Sequence, residues 1–382
     1  MGPEGPLGYF ANMMDHCYDY AVAAKTAGRP VVAAMCEFTP WELILAAGAV
    51  PVCMCGGSAG TIPAAEELLP ANLCPLIKST FGYHVTRSNP FLEMADLVVA
   101  ETTCDGKKKM YELMAQSRPM HILELPQKQD DADSFRHWLG EVHRFKEQLE
   151  RRFKVDITPQ RLRDAVGVMN RERSLRRSLA ALMKADCPPL SGRQLLDLRS
   201  GIPGMPGAAE QMDLALQTLS RRGGDERLGG RVRVLLTGVP TVRGAERVVE
   251  LIEDRGGLIV CTENCTGLKP ILDDVETDDP DLIHAVARKY FNLPCSVMTR
   301  NDRRLESLKR LTGEYRPACV IDLIWQACLT YDVESASVRR LVTGPLGLPY
   351  LRIETDYSPS DSARLAVRIE ALFETVRAAR GG

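Results

Sequence analysis

Asp96-Leu97-Val98-Val99-Ala100-Glu101-Thr102-Thr103-Cys104-Asp105-Gly106-Lys107-Lys108-Lys109-Met110 is the stretch that decides the fold. Asp96 to Ala100 is a short apolar run of the kind a strand buried on both faces requires, and Asp105 to Met110 opens a helix. His121 to Leu125 returns as a further strand. Strand, helix and strand in that order imply parallel neighbours joined by a crossover.

The same rhythm extends in both directions. Toward the N-terminus, Val50 to Met54 reads as a strand, and Pro30 to Met35 as another that ends at Cys36. Between them Thr39, Pro40 and Glu42 supply an N-cap, a proline at the first helical position and the acid of a capping box. The chain opens on a helix expected over Tyr9 to Lys25, where Phe10, Met13, Met14, Cys17, Tyr18 and Ala21 share an apolar face. Toward the C-terminus, Asp133 to Lys184 reads as long helices, with Val142, Phe145, Leu149 and Phe153 on one face. A Gly/Pro-rich loop over Ser200 to Ala208 and a polar connection over Arg221 to Gly230 follow. Strands are then expected at Val232 to Thr237, Leu258 to Thr262, around Ser296, at Val320 to Ile324 and at Tyr350 to Glu354. Helices near Gly244 to Asp254, Asp279 to Tyr290, Glu334 to Val342 and Ser360 to Ala379 alternate with them. The expected fold is α/β: two Rossmann-like lobes with mostly parallel sheets, over 1–132 and 231–382, joined by a helical connecting segment over 133–230.

A chain of 382 residues suits about two or three domains. With 45% hydrophobic and 26% charged residues it is globular, which excludes a disordered chain. Its net charge of -2 comes from interleaved acids and bases, with no basic stripe for nucleic acid. No apolar run approaches the roughly 18–20 residues of a membrane span. Met1-Gly2-Pro3-Glu4-Gly5-Pro6 lacks the basic and apolar regions of a secretory signal, so a cytoplasmic protein with no nucleic-acid or membrane partner is expected.

Twelve cysteines stand out. Cys36 and Cys104 each lie just past an expected strand and before a helix; Cys265 and Cys328 also follow strands. Cys74 precedes Pro75, as at a helix N-cap, and Cys295 follows Pro294 at the start of a short strand or turn. Ligands of open α/β sheets bind beyond the carboxyl ends of the strands, and a thiol at a helix N-terminus is expected to ionise readily. No Cys-x-x-Cys pair occurs, which argues against structural zinc and ferredoxin-type runs. Two readings stay open on this pattern: ordinary buried cysteines of an α/β enzyme, or a cluster clamped between two lobes. The histidines are scattered and suggest no ligand set.

Glu101 to Glu112, read Glu-Thr-Thr-Cys-Asp-Gly-Lys-Lys-Lys-Met-Tyr-Glu, resembles the signature of the 2-hydroxyacyl-CoA dehydratase superfamily, in its double-cubane-cluster anaerobic reductase branch. So do Asn72-Leu73-Cys74-Pro75-Leu76-Ile77-Lys78-Ser79, Glu263-Asn264-Cys265-Thr266-Gly267, Gln326-Ala327-Cys328 and Ile353-Glu354-Thr355-Asp356-Tyr357-Ser358. The resemblance implies a homodimer of two-lobed subunits, each holding a double-cubane iron–sulfur cluster. It implies six cluster ligands: Cys36, Cys74, Cys104, Cys265, Cys295 and Cys328. Where the branch often has Cys-Ser-Cys, this chain has Cys295-Ser296-Val297, a departure that sets Cys295 apart. Cys17, Cys53, Cys187, Cys261 and Cys319 are assigned to packing or surface, and Cys55 is left open.

The resemblance further implies a small-molecule substrate and a separate ATP-dependent iron–sulfur activator as electron donor; no complete G-x-x-x-x-G-K-[ST] loop occurs in this chain. Glu101 and Glu263 precede Cys104 and Cys265 and are candidate catalytic proton donors, with capping or ion pairing as the plain alternative. Lys107, Lys108 and Lys109 could offset thiolate charge, though a solvated first helical turn accounts better for at least two of them. The leading expectation is an iron–sulfur oxidoreductase, an ATP-dependent low-potential reductase of a small unsaturated molecule. The alternatives are a dehydratase-like subunit with a single [4Fe-4S] cluster and a non-catalytic electron-transfer protein.

Overall fold

A computed structural model describes residues 5–381, so Met1–Glu4 of the segment read for a leader lie outside the described residues. Eight strands form two four-stranded sheets. The first holds β1 (Val31–Ala34), β2 (Val50–Cys53), β3 (Leu97–Glu101) and β4 (Met120–Leu123) in the order β2-β1-β3-β4. The second holds β5 (Val232–Gly238), β6 (Gly257–Glu263), β7 (Cys319–Trp325) and β8 (Tyr350–Thr355) in the order β6-β5-β7-β8. Every pairing is parallel, so the expected two-lobed α/β architecture is present with wholly parallel sheets. β1, β3, β5, β6 and β7 are buried along their whole length, which is why they read as continuous apolar runs rather than alternating ones.

The strand order reverses direction between the first and third strand of each sheet. Loops leaving the carboxyl ends of those two strands diverge and open a crevice, the usual ligand position in such sheets. Two buried apolar clusters frame it. One joins Phe10, Met13 and Val98 to Val234, Leu236 and Ile321, and so runs through both sheets. The other covers the opposite face of the first sheet, where Val32, Leu97 and Val99 pack with Trp138, Val142 and Phe145 of the helix Ala132–Phe153. Val286 and Tyr290 of the helix Leu282–Phe291 belong to this second cluster, and Trp138 Nε1 donates to the Ala287 carbonyl at 3.0 Å. A helix from the C-terminal half is thereby fixed against the N-terminal sheet, bringing Cys295 with it. Among the described residues no helix is long and apolar enough to cross a membrane.

Three local expectations are corrected. The opening helix is broken at Asn12 into Pro6–Ala11 and Met13–Thr26. Around Ser296 there is no strand but a turn, closed by the Met298 amide donating to the Cys295 carbonyl at 2.9 Å. The capping box at Thr39 and Glu42 does not form, and Pro40 stands at the N-cap of Trp41–Ala46 with no side-chain cap. Thr39 donates instead to the Glu101 carboxylate, and Glu42 accepts from Arg173 and from the Tyr290 hydroxyl. A fully buried carboxylate gains more from a guanidinium than from a single backbone amide, so the tertiary partners displace the cap. The helices Gly192–Asp197, Ala208–Arg222 and Asp302–Tyr315 have no counterpart in the sequence reading.

Glu42 and Arg173 are almost completely closed to water. Arg173→Met should therefore destabilise the protein by about 3–5 kcal/mol in urea unfolding, because it strands a buried carboxylate. The double variant Arg173→Met with Glu42→Leu should recover much of that loss.

Candidate metal centre

The strand ends deliver cysteines from both sheets. Cys36 follows β1, Cys55 follows β2, Cys104 follows β3, Cys265 follows β6 and Cys328 follows β7. Cys74, Cys104 and Cys328 are the N-cap residues of Pro75–Thr86, Asp105–Met114 and Leu329–Thr343, and none caps its helix with its side chain. All twelve cysteines are free thiols.

The six thiols singled out from the sequence fall into two sets. In one, Cys74 lies within electrostatic reach of both Cys328 and Cys104. In the other, Cys265 feels both Cys295 and Cys36. Each set combines N-terminal and C-terminal residues. The neighbouring Cys328 thiol holds the Cys74 thiol below its ordinary value against burial, and the amides of Leu76 and Ile77 help. The neighbouring Cys74, then burial, pushes Cys328 well up. Burial raises Cys36, Cys265 and Cys295, and Glu37 adds to each. The expectation that these positions favour the thiolate thus holds at Cys74. It is reversed at Cys36, Cys265 and Cys295, where loss of water outweighs backbone dipoles, and at Cys328, where the neighbouring Cys74 outweighs them together with burial.

Glu37 sits at the middle of the second set. Its Oε1 accepts from Lys269 Nζ at 2.7 Å and from the Cys265 thiol at 3.2 Å, and Lys269 Nζ also donates to the Tyr331 hydroxyl at 2.9 Å. Lys107 Nζ donates to the Met35 carbonyl at 3.2 Å, and the thiols of Cys36, Cys55 and Cys104 help keep it charged against burial. Lys108 and Lys109 pair at the surface with Asp105 and Glu112 and are the two solvated lysines. Near Cys36, the buried atoms Glu37 Oε2, Glu101 Oε2 and Tyr111 Oη have no hydrogen-bond partner among the described residues. Buried thiols, lysines of opposite charge and unsatisfied oxygens form a soft-donor set suited to a thiophilic metal group.

The two candidate carboxylates differ. Glu263 is tied at 3.2 Å to the fully buried Arg304 and accepts from Thr237 at 2.5 Å, while Arg304 also pairs with Glu334. Glu101 accepts from Thr39, and burial drives its carboxyl up to about 7 against that bond and Lys107. Sequence reasoning missed Glu37, Lys269 and Tyr331. The only local signal was adjacency of Glu37 to Cys36, since Lys269 and Tyr331 reach the site by tertiary packing. It also passed over His137, whose Nε2 lies 3.5 Å from Glu124 and 3.8 Å from Glu141. Arg144 already pairs with Glu141, making this a half-exposed ionic cluster.

Cys17 is buried in the first apolar cluster, as are Cys261 and Cys319. Cys53 and Cys55 are exposed and line a cavity.

Residues 36–376 match the family described as 2-hydroxyglutaryl-CoA dehydratase, D-component. YjiM of Escherichia coli (strain K12), which carries the name of a dehydratase subunit, is 41% identical over 355 residues, 92% of each chain. A benzoyl-CoA reductase component of Thauera aromatica is 26% identical over 151 residues, 38% of each chain.

Glu101 gives a pH signature. An acid whose folded pKa is raised contributes most below its ordinary range and loses that contribution as pH rises toward the folded value. Relative to Glu101→Gln, which keeps an acceptor for Thr39, the wild type should lose stability between about pH 4.5 and 7. The loss should be on the order of 3 kcal/mol, read from anaerobic urea unfolding at a series of pH values.

Proposed function

Because the chain belongs to the 2-hydroxyglutaryl-CoA dehydratase D-component family, we propose that its two thiol sets hold an iron–sulfur cluster and that it reduces a small unsaturated molecule at low potential. The observation that carries this reading is the grouping itself. Cys74, Cys104 and Cys328 form one set of three, and Cys36, Cys265 and Cys295 another. Three thiolates on each of two cubanes leave one corner apiece for a bridging sulfide, the arrangement of a double cubane. The bound group would supply electrons one at a time at strongly reducing potential.

The chain's own residues then have distinct tasks. Lys107 and Lys269 offset thiolate charge, Glu37 orients Lys269 and the Cys265 thiol, and Glu101 delivers protons. Glu263 is assigned to holding Arg304 and the loop before Cys265. Electrons come from a separate ATP-hydrolysing iron–sulfur activator in the cytoplasm, and the reductase works as a homodimer. The name of the 41%-identical relative favours a second reading, a dehydratase subunit with a single [4Fe-4S] cluster. It predicts half the iron, and loss of iron on mutating only one of the two sets.

Two outcomes are expected. Anaerobically assembled Cys36→Ala, Cys74→Ala, Cys104→Ala, Cys265→Ala and Cys328→Ala should each lose iron sharply, whereas Cys17→Ala should load fully; Cys295→Ala should lose the share belonging to its set. Iron and sulfide analysis beside electron paramagnetic resonance reads this, and a protein that takes up only zinc would remove the cluster altogether. The isolated protein should also show negligible ATPase activity and turn over repeatedly only with the activator; equal steady turnover on a chemical reductant alone would remove that partner.

A further inference from the structure

Beside Cys36 and Cys265 lies a cavity of about 300 Å³, at the small end of ligand pockets. Besides Arg173, three guanidinium groups line it: Arg176 from the helix Pro159–Ala181, Arg199 from the Gly/Pro-rich connection, and Arg243 from the loop after β5. Among the described residues none of the three forms an ion pair with a carboxylate. Arg176 donates to the Thr266 and Gly267 carbonyls at 3.3 and 3.4 Å, and Arg199 to the Thr266 and Thr241 carbonyls, both at 3.0 Å. Among the same residues the Arg243 side chain makes no hydrogen bond, and its Nη2 is buried without a partner.

Other charges in the cavity wall offset them only in part: Glu172 lies within electrostatic reach of Arg176 without forming an ion pair with it. Glu37 is taken by Lys269, and Glu172 accepts from the Gly204 amide at 2.7 Å. Arg173 is committed to Glu42, and Lys289 donates to the Pro270 carbonyl at 2.9 Å. Arg243 is held where it is by a close backbone approach: a Cβ at Gly57 would come within 1.9 Å of the Arg243 carbonyl oxygen. Like charges gathered in a poorly hydrated space repel, and an anion between them would turn repulsion into charge-assisted hydrogen bonds. Burial, followed by Arg176 and Arg243, accordingly depresses Arg199 to about 10.

We propose that this cavity binds a small free organic acid, its carboxylate held by Arg176, Arg199 and Arg243 and its apolar part lying along Trp41, Met169 and Val242 toward Cys36 and Cys265. The inference names the substrate class of the reductase site and rests on that reading for the acid's fate, but binding itself needs only these side chains. The thioester of a monocarboxylic acid would mask the carboxylate the arginines seek.

The test is isothermal titration calorimetry on the anaerobically purified protein. Acrylate, crotonate and sorbate are compared with their neutral amides, with crotonyl-CoA and with inorganic phosphate, and iron is counted in the same samples. At least one acid should bind about tenfold or more tightly than its amide. Arg243→Met, which breaks no hydrogen bond, should weaken that binding at least about tenfold with folding and iron content unchanged, and Arg243→Lys should restore part of it. Equal binding of acid and amide, undiminished binding by Arg243→Met, or binding of phosphate or crotonyl-CoA alone would each overturn the proposal. An iron-free protein that still binds the acid would overturn the cluster and leave the anion site standing; an iron-loaded protein that binds no acid would do the reverse.

Discussion

Glu37 and Lys269 meet at 2.7 Å with both side chains closed to water. One follows β1 and the other stands in the short helix Lys269–Ile271 after β6, so this contact fixes one half of the molecule against the other. Removing two charges from water costs several kcal/mol per ion, and a buried pair is a poor source of net stability unless its remaining valences are satisfied. Here they are satisfied unevenly. Lys269 has the Tyr331 hydroxyl and Tyr331 ring beside it, and Glu37 Oε1 has the Cys265 thiol, but Glu37 Oε2 has no partner among the described residues. A pair kept in this state sets register rather than strength. It determines which thiols from the two halves can face each other.

The two sheets share one strand order, and that repetition explains why the cysteines recur at similar places. Cys104 and Cys328 both follow the third strand of their sheet and both stand at a helix N-cap. Cys55 and Cys265 both follow the second strand, yet their surroundings differ. Cys265 turns to Glu37, whereas the Cys55 thiol reaches only the Met35 carbonyl, at 3.8 Å, and faces the cavity. Topological equivalence supplies the position, and local partners decide what the thiol does with it.

The strands and the residues just past them were legible in the sequence because fully buried parallel strands leave uninterrupted apolar runs bounded by helix starts. That is why Cys36, Cys104, Cys265 and Cys328 could be placed from periodicity alone. The capping box at Thr39 and Glu42 was misread for the opposite reason. The local pattern was correct, but Glu101, Arg173 and Tyr290 made better offers from distant parts of the chain. Cys295 illustrates a further limit. No strand carries it; its position follows from the helix Leu282–Phe291 packing on the N-terminal sheet, a contact no window of neighbouring residues records. Arg199 and Arg243 were invisible for a similar reason, since each sits in a loop and gains meaning only beside the other.

Charge is graded across the site. Near the thiols, Lys107 and Lys269 stand against Glu37 and Glu101, so cations and carboxylates are balanced where the cysteines lie. Farther along the cavity the balance shifts, and among the described residues Arg176, Arg199 and Arg243 line it with no carboxylate paired to them. Carboxylates and burial oppose added negative charge at the thiols, which for a cluster held there would lower its reduction potential, while the lysines temper that effect. The guanidinium groups act on a different object. With an anion bound as proposed, they would neutralise it, and so let it approach a cluster held by the thiols. Separate handling of the resident and the incoming charge is what two lobes and an intervening helix can build, and what a single sheet edge cannot.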